Sequence, residues 1–193
     1  MFKFLLFIFV SLLSLNVLSL EVTLTQGSVK PTPIAITNLF SSNSDFEKIG
    51  KNISDVISDN LERSGLFIPI DKKAFIQTNK SLSQQPRFED WKVIKAQHLV
   101  AGKISGSNGK ISVEFRLYDV FQQKQLVGRK YETNEKNWRR ISHIISDSVF
   151  KNITGEGGYF DTRIVYVAET GPKEKKQKRL AIICLLYTSP SPR

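Results

Sequence analysis

The chain is poor in the residues from which reactive and metal-bound sites are built. Its 193 residues include one cysteine, Cys184, one methionine and two histidines, His98 and His143. A single cysteine excludes an intramolecular disulfide and any zinc site that needs a thiolate cluster. Neither histidine has a second ligand at a spacing such as His-Glu-x-x-His, so both read as structural or surface residues. Gly155-x-Gly157-Gly158 follows a helical pattern instead of opening one, and no Lys-Ser/Thr comes after it, which argues against a phosphate loop. Ser142, His143, Ser146 and Asp147 lie within one helical stretch, whereas a catalytic triad is assembled from separated parts of a fold. Acidic residues are scattered over helix surfaces, so no carboxylate pair can be assigned to glycosidase chemistry. No catalytic residue, cofactor or metal is expected, and the chain reads as a binding protein and not an enzyme. A periplasmic hydrolase is the enzyme alternative.

Negative charge is also in deficit. Lys and Arg number 28 against 18 Asp and Glu, a formal net charge of +10. Such a balance suits an anionic partner, but Asp45, Glu47, Asp55, Asp59 and Glu62 interrupt the positive field. No arginine-rich run alternates with exposed aromatics, so nucleic acid is not an expected partner.

Long hydrophobic runs are confined to the beginning. After Met1 to Lys3, the stretch Phe4 to Leu15 is apolar except for Ser11 and Ser14, and Val17-Leu18-Ser19 ends in a small residue. This is the layout of a secretory signal over residues 1–19, shorter than the about 20 apolar residues of a membrane span. The mature protein is expected to start near Leu20 or Glu21 in the periplasm. No cysteine near the cut could carry a lipid.

The rest of the chain alternates strand and helix signals. Glu21 to Thr25 and Pro33 to Leu39 read as strands. Ser44-Asp45-Phe46-Glu47 has capping-box spacing, Phe46, Ile49, Ile53, Val56, Ile57 and Leu61 follow at helical intervals, and Gly65 is placed to close the helix. Leu66 to Ile70 is a short apolar run, Gln77 to Pro86 a loop, and Phe88 to Ala96 a short helix. His98 to Ile104, Ile111 to Leu117 and Lys124 to Glu132 read as strands, the first two joined by a turn at Ser107-Asn108-Gly109. A last helix runs from about Glu135 to Ile153, ended by Thr154-Gly155, with Trp138, Ile141, Ile145, Val149 and Ile153 on one stripe. The order β-β-α-β-α-β-β-β-α predicts an α/β fold with one mixed sheet packed by two to three helices. Gly155 to Gly158 reads as a flexible joint, and Arg163 to Ala168 and Leu180 to Ile183 as the start of further strands. Residues 184–193 change composition abruptly and read as a non-native tail.

Four stretches together resemble the TolB family of periplasmic proteins. They are Glu21 to Gly27 with Pro33 to Ile36; Ile49, Ile53 and Leu61 to Phe67 with Pro69 and Asp71; Trp91, Val100, Gly102 and Leu117 to Val120; and Arg140, His143, Ser146-Asp147, Val149-Phe150, Ile153 to Gly155, Gly158, Phe160 and Thr162 to Val167. The resemblance implies a TolB-like N-terminal domain over residues 20–155 and, over 156–183, a linker and the first strands of a truncated β-propeller. The propeller's repeated Ser-Pro-Asp-Gly turns are absent from the sequence. It also implies a non-enzymatic part in the Tol-Pal complex, linking inner and outer membranes for envelope integrity and cell division. The mature N-terminal segment Glu21, Val22, Thr23, Leu24 and Thr25 would meet a TolA-like inner-membrane protein by strand addition, its exposure coupled to the lipoprotein-binding state. A Pal-like lipoprotein would bind the propeller. Another periplasmic adaptor or assembly factor with a similar α/β domain is the alternative.

Overall fold

The computed structural model describes residues 30–82, 85–173 and 175–184. The expected signal, the segment Glu21 to Thr25 and most of the expected tail fall outside the described residues.

Strand β1 (Thr32–Ile36) is almost wholly apolar, as a central strand covered on both faces requires. Helix α1 (Ser44–Arg63) follows and returns the chain to β2 (Phe67–Pro69), which lies parallel to β1 with Thr32 opposite Phe67. A 3₁₀ turn at Lys72–Ala74, a four-residue helix α2 (Asn79–Leu82) and a short helix α3 (Phe88–Val93) then cross to β3 (His98–Ser107). Strand β3 is parallel to β1 and antiparallel to β4 (Lys110–Asp119), which is antiparallel to β5 (Lys124–Asn134). Helix α4 (Trp138–Thr154) comes next. The result is a mixed α/β sheet of five strands in the order β2-β1-β3-β4-β5.

Two apolar clusters sandwich this sheet. Ile53, Ile57 and Leu61 of α1 and Ile141, Ile145 and Val149 of α4 pack with Ile34, Val100, Phe115 and Leu117 on one face. On the other, Trp91, Leu82 and Ala96 cover Ala35, Leu99, Ala101 and Tyr118. The segment expected to be a loop from Gln77 to Pro86 contains α2. It is stapled by the buried Gln77, whose Oε1 accepts from Trp91 Nε1 at 3.1 Å and from the Arg87 amide at 2.8 Å.

Local punctuation largely matches the residues expected to supply it. Gly65 and Gly155 take φ of 73° and 81° after α1 and α4, and Asn108-Gly109 turns β3 into β4 with φ of 51° and 72°. The short helix ends at Val93 and not Ala96, because Lys95 adopts a left-handed φ of 60°. The start of α1 also differs from the expected capping box. The cap is Asn43, whose Oδ1 accepts from the Asp45 amide at 2.9 Å, and Ser44 is already helical. Asn43→Ala is therefore expected to cost about 1 kcal/mol. Ser44→Ala should be nearly neutral, a difference that urea unfolding of the two variants resolves.

Beyond α4, β6 (Arg163–Thr170) pairs antiparallel with β7 (Gln177–Cys184) in a separate two-stranded sheet. Ile164, Val165, Tyr166, Val167, Leu180 and Ile182 on it are all exposed.

Candidate functional site

Two places define the ends of the described α/β unit, the start of β1 and the segment after α4. The Thr32 amide donates to Leu66 O at 2.9 Å, so β1 begins beside the start of β2. Phe67, the neighbour of Thr32 across this pair, meets Phe150 of α4 edge-on with ring centroids 6.1 Å apart. Phe150 in turn contacts Tyr159 and Phe160, each at 5.8 Å and again edge-on. Edge-to-face contacts put positive ring edges on negative ring faces, which favours this arrangement over parallel stacking. The start of β2 and the segment after α4 therefore share one aromatic cluster.

That second segment is held by Asp147. Its Oδ1 accepts from the Phe160 amide at 2.7 Å and its Oδ2 from the Asp161 amide at 3.0 Å. Arg140 Nε pairs with the Asp161 carboxylate at 3.3 Å. Phe160 is 1% exposed. Gly158 lies so close that a Cβ there would sit 2.5 Å from Asp147 Cα, so only glycine fits. The sequence reads Gly155 to Gly158 as a flexible joint. The structure corrects this at Gly158, which is packed against Asp147, whose carboxylate reaches thirteen and fourteen residues ahead.

Between α1 and α4 runs a buried polar seam. Asn60 Nδ2 lies 2.9 Å from His143 Nδ1 and donates to Ser146 Oγ at 2.9 Å, and Ser146 Oγ donates to Ser142 O at 2.9 Å. A ring nitrogen accepting from Asn60 places the imidazole proton on Nε2 and keeps the ring neutral. Burial pushes the pKa of His143 below the ordinary histidine value, with Asp161 and Asp147 opposing that and Arg139 and Arg63 adding to it. These contacts engage the Ser/His/Asp residues in structural bonds, with His143 Nδ1 directed to Asn60 and Asp147 to two amides. Asn60 was missed from sequence, although it falls at helical spacing on the apolar stripe of Ile53, Ile57 and Leu61. A lone polar residue within a buried stripe was the available signal.

His98 stands at the start of β3 opposite Asp119. Burial lowers its pKa too, against the raising effect of Asp119. Among the described residues no group of three His, Cys, Asp or Glu could hold a metal ion. Nor is any described helix long and apolar enough to cross a membrane. The segment Glu21 to Thr25 lies outside the described residues.

Comparison with known proteins turns this frame into a family. The family described as TolB amino-terminal domain matches residues 20–126. The chain belongs to the TolB amino-terminal domain family. A Tol-Pal system protein TolB from Paramagnetospirillum magneticum is 49% identical over 164 residues, covering 84% of this chain and 37% of the relative. The crystal structure of TolB from Acinetobacter baumannii shares the fold with a TM-score of 0.63 at 24% identity, over 80% of this chain and 37% of that one. The chain thus spans 37% of the length of these TolB relatives. The TolB family match begins before the described residues and includes Glu21 to Thr25.

Proposed function

We propose that this chain is an exported periplasmic part of the Tol-Pal system and acts by binding proteins, without catalysis or cofactor. The reading rests on the 49% identity to a Tol-Pal system protein TolB. The segment Glu21 to Thr25 is the working end: Val22 and Leu24 alternate with polar residues, so its main chain can add to the edge of a TolA-like partner while those two side chains fill pockets. A Pal-like lipoprotein is assigned to the propeller that the resemblance implies for the longer TolB proteins. Together these contacts would link inner and outer membranes in envelope integrity and division.

The test is a pull-down from envelope extract with the purified chain from Leu20 and with one that starts at Gln26. Capture of a TolA-like protein by the longer form alone is the expected result. Equal capture by both forms, or by neither, removes the segment from this role.

A further inference from the structure

We propose that residues 155–162 form a strap that belongs to the folded α/β unit, and that Asp147 is the positioning residue that fixes its path along α4. The chain leaves α4 at Gly155, in a left-handed conformation, and doubles back. Gly158 packs on Asp147, the amides of Phe160 and Asp161 converge on its two carboxylate oxygens, and the Asp161 side chain reaches Arg140. Gly155 and Asp147 are eight residues apart, which is roughly 12 Å along α4. The strap therefore retraces about two helical turns before β6 begins. Thr162 Oγ1 closes the far end on Tyr159 O at 2.6 Å.

Each component has a physical reason. A carboxylate accepting two consecutive amides satisfies donors that a loop would otherwise leave to water, in charge-assisted bonds about twice as strong as neutral ones. Phe160 adds an apolar anchor in the same core cluster as Ile145, Val149 and Phe150. Gly158 supplies the only side chain small enough to let the backbone reach the carboxylate. A glycine-rich sequence is thereby turned from a swivel into a fixed strut. Gly155 to Gly157 make the turn, with the Gly155 amide on Lys151 O and the Glu156 amide on Thr154 Oγ1, and the chain is launched into β6 from the flank of α4 and not from its end. The folded unit accordingly extends to Thr162. This inference concerns the path of the backbone and stands whether or not Glu21 to Thr25 binds a partner.

Amide hydrogen exchange on the full chain tests it. In the unsubstituted protein the Phe160 and Asp161 amides are expected to exchange at least about a hundredfold more slowly than free amides. Asp147→Asn, which replaces one acceptor oxygen with a donor of the same shape, should speed both by roughly tenfold or more. Protection in β3 and β4 should stay within about threefold of the unsubstituted protein. Gly158→Ala should give the same local loss through steric exclusion, and chymotrypsin should then cut after Tyr159 or Phe160. Unprotected Phe160 and Asp161 amides in the unsubstituted protein overturn the proposal without any variant. Unchanged protection in both Asp147→Asn and Gly158→Ala removes Asp147 from the positioning role.

Discussion

Phe115→Ala is expected to destabilise the protein by about 3–5 kcal/mol, a large part of the 5–15 kcal/mol typical of a domain. Phe115 is 0% exposed on the central strand β4. It faces Gly102 of β3 on one side and lies parallel to Tyr131 of β5 on the other, with ring centroids 6.2 Å apart. Removing the ring leaves a void between three strands and beneath both helices, where backbone hydrogen bonds on both sides prevent collapse. Phe121, 57% exposed, is the control. Phe121→Ala should change stability by less than about 0.5 kcal/mol. Chemical denaturation of both variants gives the comparison, and equal losses would contradict the assignment of the core.

Acidification from about pH 7.5 to about pH 5.5 is expected to weaken the fold through its two histidines. Burial holds both below the ordinary histidine range in the folded state, so their unfolded forms bind protons more readily. A depressed folded pKa means that the stabilising contribution is fully present above the unfolded value of about 6.5 and is lost as pH falls through the folded value. The loss is at most about 1.4 kcal/mol per histidine over that interval. Its source at His143 is specific: protonating Nδ1 abolishes the acceptor that faces Asn60 in the seam between α1 and α4. His143→Gln should flatten the dependence by about half and leave the contribution of His98. Urea unfolding at the two pH values measures the slope. A stability independent of pH across that window would contradict neutral imidazoles at the buried His143 and the half-buried His98.

How much of this was legible in the sequence depended on whether a partner was local. Helices α1 and α4 announce themselves because their apolar residues recur at helical spacing, and β4 because Ile111, Val113, Phe115 and Leu117 alternate with polar neighbours. Those periods record a single buried face. The Asn108-Gly109 turn was equally readable, since positive φ at two positions favours these residue types. The cap of α1 was displaced by one residue because Asn43 and Ser44 are both good capping residues, and only backbone geometry separates them. The strap was not legible. Its bonds join Asp147 to amides in the next segment, and amides carry no side-chain signature, so the glycines around them read as freedom. For Glu21 to Thr25, which lies outside the described residues, the alternation and the family resemblance were legible in the sequence.

The proposal that this TolB-family chain recognises a TolA-like protein through Glu21 to Thr25 is tested by titration calorimetry with a purified TolA-like periplasmic domain. Two forms serve, one beginning at Leu20 and one at Gln26. The account predicts saturable binding by the first and a loss of at least about a hundredfold in affinity, about 2.7 kcal/mol, for the second. Equal affinity for both forms would contradict it and move recognition to the folded surface.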